Sequence, residues 1–352
     1  MKDNDTVSTP VKSERIVYLD ALRVVSAFAV MVIHLAATGY KEAIPGSYEW
    51  VVCRIYNGIP RFAVPVFVMI SGAMYLNPQR SISRGDMLRK AAKLMRIFFF
   101  WSTLYALAES AKTHGLFTPA YFLSAAQKIA TGHYHMWYLY MIAGLYLATP
   151  FLRPIAADKR LLQWILLIAF VLNHCLRLLS EIPGLEEIAR TVAGSADLHL
   201  FCGYAGYYCL GHYLHQMKVT PKKIGTLCAA SVALFTIVLA LSYLAQKPNI
   251  VFQEKMPHIV VYSAMVFLLF KQHAEHLAHH SGIKSLIGKI APCTLGMYLL
   301  HPAFNLILRK AGLYALTFNP LFCTILCSAL VFVLSFAATA LLKRTPLVRN
   351  FL

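Results

Sequence analysis

An arginine and a histidine with ten residues between them, Arg23 and His34, stand in one apolar stretch, YLDALRVVSAFAVMVIHLAA. In an α-helix the step from one to the other is three turns plus roughly 20°, so both side chains leave the same face, about 16 Å apart along the axis. Ser26 and Val30 fall between them on that stripe. Asp20, one turn before Arg23, is spaced to pair with it and hold the guanidinium. An arginine so placed can bind a phosphate or a carboxylate, and an imidazole is the usual general base near neutral pH. A snorkelling arginine and a histidine hydrogen-bonded to a neighbouring helix would use the same residues without any chemistry.

Further along, RFAVPVFVMISGAMY combines Arg61 with Pro65, where a kink is expected, and with Ser71-Gly72, which permits close helix packing. The run RSISRGDMLRKAAKLMRIFFFW carries Arg84, Arg89, Lys90, Lys93 and Arg96; of these Arg89, Lys93 and Arg96 share one helix face. Such a helix can hold anionic lipid headgroups or the phosphates of a soluble donor. In HYHMWYLYMIAGLYLATPFLRP, the residues His135, Trp137, Tyr138 and Tyr140 form an aromatic cluster suited to a membrane interface or to stacking on a sugar. In LGMYLLHPAFN, the residues Tyr298, His301 and Asn305 share a face, and Pro302 favours a bend beside His301. His273, His276, His279 and His280 lack companion ligands in sequence and read as an interfacial polar helix, so no metal site is expected.

These residues need elements that can hold them inside a membrane. Of 352 residues 58% are hydrophobic and 14% charged, too few charges for an ordinary water-facing surface. Apolar runs of roughly 17 to 25 residues recur at 16–38, 51–76, 95–113, 135–152, 161–179, 199–216, 223–245, 257–272, 286–308 and 319–342. The first is too long and too polar, with Asp20 and Arg23, for a cleaved signal peptide. The expectation is an all-α polytopic integral membrane helical bundle of about ten transmembrane helices. One domain, 16–342, lies between cytoplasmic tails at 1–15 and 343–352. Assigning both termini to the cytoplasm (N-in/C-in) puts most of the 33 Lys and Arg on that side, as the positive-inside bias requires. The formal net charge of +18 therefore marks orientation and an anionic cytosolic ligand rather than nucleic acid. No CxxC pair occurs among the eight cysteines, which lie in apolar stretches as packing residues. Ionisable groups within spans cost a few kcal/mol each, so Arg23, His34, Arg61 and His301 are functional candidates.

The opening LDALRVVSAFAVMVIH is followed in order by VPVFVMISG, the basic stretch before RIFFFW, HMWYLYMIAGLYLATPFL, GYYCLGHYL and LGMYLLHP. This ordered set, from about residue 16 to 310, resembles the membrane-bound acyltransferase-3 family. The resemblance implies an O-acyltransferase of the bacterial cytoplasmic (inner) membrane. It would move acetyl from acetyl-CoA, a cosubstrate rather than a bound cofactor, to a hydroxyl of a glycan or lipid-linked sugar. Membrane lipids and these two substrates are the expected partners, with no nucleic acid. Carried over by position, His34 would be the catalytic histidine and Arg23 its partner, with Asp20 beside it. Arg84, Arg89, Lys90, Lys93 and Arg96 would meet the CoA phosphates. Arg61, His135, Trp137, Tyr138, Tyr298 and His301 would serve the acceptor side. Some members carry an added extracytoplasmic hydrolase-like domain, which is not expected here. General-base and acyl-imidazole mechanisms both remain open. Two other readings use the same residues: a transporter of an anionic or proton-coupled solute, and a non-enzymatic scaffold.

Overall fold

A computed structural model describes residues 15–182, 184–195, 198–244, 251, 253 and 256–352. The expected N-terminal tail, Arg15 apart, lies outside the described residues. Among the described residues the regular elements are helices, with no strand. In chain order they are α1 (Val17–Glu42), α2 (Tyr48–Gly58), α3 (Ala63–Tyr75), α4 (Arg84–His114), α5 (Pro119–Thr131) and α6 (Trp137–Ala157). Then follow α7 (Lys159–Ala169), α8 (Leu176–Leu179), α9 (Glu186–Ser195), α10 (Leu198–Gln216), α11 (Pro221–Leu244) and α12 (Pro257–Gln272). The chain closes with α13 (Ala274–His279), α14 (Ser281–Ile290), α15 (Thr294–Lys310) and α16 (Pro320–Leu342).

The chain is an all-α membrane bundle. Among the described residues seven helices or continuous helical runs are long and apolar enough to cross a bilayer: α1, Tyr48–Tyr75, α6, Lys159–Leu179, α11, Ser281–Lys310 and α16. The other three expected spans also fall on helices. One is α12, which is apolar but short. The second, 95–113, occupies the later part of α4, where Glu109 and Lys112 dilute the apolar run; the third, 199–216, lies in α10 with His212 and His215. Large apolar side chains such as Trp164, Val232 and Leu326 face outward, as in a bundle whose surroundings are hydrocarbon.

α1 is the axis of the bundle. It touches α2, α3 and α12 to α16, and Leu19, Leu22, Met31 and Leu35 are buried along it. A residue on α1 can therefore face an internal space rather than lipid. The second span breaks where Gly58 and Pro60 meet, through a 3-10 turn at Ile59–Phe62. Pro65, where a kink is expected, instead lies in the first turn of α3, where a missing N–H has no helical acceptor to lose. α3 and α10 cross at two glycines. A Cβ on Gly72 would lie 1.8 Å from the Tyr208 carbonyl oxygen, and one on Gly211 would lie 1.9 Å from that of Met69. Only residues without a side chain allow backbones this close.

α4 starts on a reciprocal cap: the Ser83 hydroxyl accepts from the Asp86 backbone N–H, and the Asp86 carboxylate accepts from the Ser83 backbone N–H. The C-terminal residues, expected as a tail, fold back on this helix. Trp101 Nε1 donates to the Phe351 carbonyl at 2.8 Å, and the Phe100 and Phe351 rings stack at 4.3 Å.

Candidate active site

A cavity of about 220 Å³ opens between α1, α3, α4, α6 and α15. Its wall includes Arg23 and His34 from α1, Phe67, Ser71 and Met74 from α3, and Leu94 from α4. His135, Trp137, Tyr138 and Tyr146 come from α6 and the residues before it, and Thr294, Tyr298 and His301 from α15. The helix-face argument thus survives folding: Arg23 and His34 line one space. A second hollow of about 400 Å³ adjoins the first, lined by Arg15, Asp20, Arg23, Met74, Arg80, Thr294 and Leu295. Arg23, Met74, Thr294 and Leu295 belong to both walls, so they form the neck between vestibule and cavity.

At the neck, Asp20 is buried and grips two guanidiniums. Arg23 Nη1 donates to Oδ1 and Arg15 Nε to Oδ2, each at 2.5 Å. Arg23 Nη2 contacts Met74 Sδ at 2.5 Å. Arg80 adds a third cation to the vestibule. Arg153 holds the segment that carries it, donating to the carbonyls of Tyr75 at 3.1 Å, Pro78 at 3.3 Å and Arg80 at 2.7 Å. Three arginines against one carboxylate leave an excess positive charge, the electrostatic footprint of a polyanion site.

Around His34 the far end of the cavity is aromatic and imidazole-rich. His34 lies 5.1 Å from His301 and 5.2 Å from Tyr134, ring centroid to ring centroid. His135 lies 5.4 Å from His301 and 5.1 Å from Tyr298. The sequence His301-Pro302 explains how one ring is held. Pro302 has no N–H to give the carbonyl four residues back, which is that of Tyr298. His301 Nδ1 takes that carbonyl at 2.6 Å. α15 continues through Pro302 as one helix. The Tyr298 hydroxyl donates to the His135 carbonyl and fixes the start of α6.

The remaining candidates lie elsewhere. Arg61 bonds to the carbonyl and side chain of Asn57, and Asn57 donates to the Ile33 carbonyl at 3.0 Å. Arg61 does not line the cavity. Arg89, Lys90 and Lys93 border a separate shallow hollow, Arg84 another, and Arg96 lies over the Phe351 ring. The basic face of α4 is therefore outside the vestibule wall; Lys90 lies over the ring of Tyr75, a residue of the cavity lining, at 5.1 Å.

Residues that sequence reasoning passed over are Arg15 and Arg80 in the vestibule, and His133 and Glu109 behind His135. The His133 Nε2 is 3.1 Å from Glu109 Oε1, and Lys128 Nζ is 3.1 Å from Oε2. Burial pushes the His133 imidazole below its ordinary range, and Glu109 opposes that shift. The histidine spacing in HYH was the available signal for His133; nothing local in sequence marked Glu109, which another helix supplies.

A family model described as an acyltransferase domain (Acyl_transf_3) matches residues 16–340. Comparison with the curated proteins and with the solved structures gives no match in either set.

Proposed function

The chain belongs to the acyltransferase-3 family, and on that premise we propose that it is a membrane O-acetyltransferase with His34 as its general base. The donor is acetyl-CoA and the acceptor is a hydroxyl of a cell-surface glycan or lipid-linked sugar, at the bacterial inner membrane. Its motifs look like those of the enterobacterial common antigen O-acetyltransferase, which makes that class of glycan the first acceptor to try. One observation carries the reading: a vestibule with three arginines narrows at Arg23 into a cavity that ends at His34.

In this reading the CoA phosphates bind Arg15, Arg23 and Arg80, and the pantetheine arm threads the neck between Arg23, Met74 and Leu295. The thioester then lies in the apolar middle of the cavity, against Phe67 and Ile142. The acceptor enters from the opposite end, between Trp137, Tyr138 and Tyr298, whose rings can stack on a sugar. His34 takes the hydroxyl proton as the oxygen attacks the acyl carbon. The carbon–sulfur bond breaks, and the thiolate leaves toward the vestibule carrying the proton that His34 returns. Thioester and alcohol become ester and thiol, with no other reactant. Acid–base assistance of this kind is typically worth about 10²–10⁴ in rate. The exposed basic face of α4, at Arg84, Arg89, Lys90, Lys93 and Arg96, attracts the anionic donor to this side by long-range charge.

The test is transfer of radiolabel from acetyl-CoA into glycan and lipid fractions of membranes containing the wild type or His34→Ala. Label that appears in a glycan and disappears in the variant supports the assignment; equal labelling by a stably inserted variant overturns it.

A further inference from the structure

The hydrogen bonds behind the cavity fix which nitrogen of each histidine carries a hydrogen. Glu109 accepts from His133 Nε2, so in the neutral ring His133 Nδ1 is the acceptor. His133 Nδ1 and His135 Nδ1 are 2.7 Å apart, so His135 Nδ1 is the donor and His135 Nε2 carries the lone pair. The Tyr298 carbonyl takes His301 Nδ1–H, which leaves the lone pair on His301 Nε2. Both Nε2 atoms are buried and have no hydrogen-bond partner on the protein among the described residues. A buried polar group without a partner is costly to keep, so two such lone pairs beside His34 ask for a function. Their rings line the cavity at centroid separations of 5.1 Å (His34 to His301) and 5.4 Å (His301 to His135). One bridging water or hydroxyl spans such gaps.

We propose that Glu109, His133 and His135 form a proton relay that connects the imidazoles of His34 and His301 to water on the side of the membrane opposite the vestibule, and so set the protonation state in which His34 begins each turnover. The proposal rests on the reading of His34 as the acid–base group. Acyl transfer hands the hydroxyl proton on to the thiolate, so the relay carries no net proton per turnover; with CoA filling the vestibule and neck, it is the path by which His34 equilibrates with water before the acceptor reacts. A proton leaving His34 bonds to Nε2 of His135, directly bridged or by way of His301. The Nδ1–H bond of His135 breaks, and that proton joins His133 Nδ1. The Nε2–H bond of His133 breaks in turn, and its proton passes to the Glu109 carboxylate, which is 40% exposed and releases it to water. Each ring ends neutral with its hydrogen on the other nitrogen, and passage of a proton in reverse restores the first arrangement. The other titratable and charged groups facing the relay are Lys128 beside Glu109, Tyr105 stacked on His133 at 4.5 Å, Tyr134 and Tyr298. Arg61, His133 and Lys41 are the other charged or titratable groups in the surroundings of His34.

Inside-out membrane vesicles containing the endogenous acceptor test this, with labelled acetyl-CoA outside and the pH of lumen and bath set separately. The rate of label transfer by the wild type is expected to follow the lumenal pH, the side of Glu109. Glu109→Gln is isosteric and half-exposed. It is expected to slow turnover about tenfold at saturating acetyl-CoA, to leave the KM for acetyl-CoA unchanged and to abolish dependence on lumenal pH, with Glu109→Asp restoring it. A wild-type rate that follows only the bath pH, or a Glu109→Gln profile identical to wild type, overturns the relay while leaving the acyltransferase reading intact. Histidine ¹⁵N spectra of the detergent-solubilised protein give a readout independent of turnover. The wild type should show Nδ1–H tautomers at His135 and His301, and Glu109→Gln should alter His133 and His135 but not His301. An Nε2–H tautomer at His135 in the wild type contradicts the relay whatever the protein's activity.

Discussion

Gly211→Ala tests the packing that builds the cavity wall. The added methyl carbon would lie 1.9 Å from the Met69 carbonyl oxygen and 2.4 Å from its carbonyl carbon, against an ordinary contact of at least 3.4 Å. The obstacle is backbone, so no rotamer change removes it, and α10 and α3 must separate by about 1.5 Å. Contacts that open by 0.5–1 Å already lose roughly a quarter to a half of their attraction, and overpacking of this kind costs about 1–3 kcal/mol or more. Because α3 carries Phe67, Ser71 and Met74 of the cavity wall, acyl transfer should fall with stability. The same separation relieves the clash at Gly72, so Gly72→Ala added to Gly211→Ala should cost much less than the sum of the two single changes. Gly225→Ala is the control: nothing lies within 4 Å of its added carbon, and helix propensity makes the change neutral or stabilising by up to about 1 kcal/mol. The assay is thermal unfolding in detergent alongside label transfer in membranes. A Gly211→Ala protein that melts and turns over like wild type, or fully additive costs in the double variant, would refute the close-packed crossing.

Other expectations follow from single residues. Arg80→Ala should raise the KM for acetyl-CoA about tenfold with kcat little changed, because a phosphate contact kept in both ground and transition states affects binding alone; an unchanged KM would remove Arg80 from the donor site. The Asp86 carboxyl is held down to about 2, first by the Ser83 backbone N–H and then by Arg89 and the Ser83 hydroxyl. An unfolded aspartate titrates near about 3.9, so the cap's contribution is present above that pH and is lost as pH falls through about 2. Amide exchange in the first turn of α4 should quicken across that window in the wild type and not in Asp86→Asn, and a flat wild-type profile would contradict the cap. Phe351→Ala removes the ring stacked on Phe100 and should cost about 1 kcal/mol, read as a melting point lower by about 2 °C; an unchanged melting point would show that the C-terminal segment does not brace α4.

The membrane class and the helices were legible because hydrocarbon imposes a simple rule, long apolar segments with backbone bonds satisfied internally. The expected spans fall on helical segments, and among the described residues seven such segments are long and apolar enough to cross a bilayer. The Arg23–His34 stripe was legible because both residues sit on one regular helix, where spacing fixes direction. What depends on neighbours was not. Pro65 looked like the kink because a proline inside an apolar run normally breaks it, but Gly58 and Pro60 had already ended the helix. The five basic residues of α4 drew attention by their density, yet the vestibule took Arg15 from the N-terminal flank and Arg80 from a short connection held by Arg153. Glu109 carried no signal at all, since its meaning comes from His133 on another segment.

The central claim is that Arg23 holds the donor while His34 performs the proton transfer. The most direct test compares Arg23→Ala and His34→Ala in equilibrium binding of labelled acetyl-CoA and in single-turnover transfer to membrane glycan. His34→Ala is expected to bind acetyl-CoA like the wild type and to transfer at least 100-fold more slowly, in line with the usual worth of a general base. Arg23→Ala is expected to lose binding. Transfer at the wild-type rate by His34→Ala, with binding intact, would contradict the account.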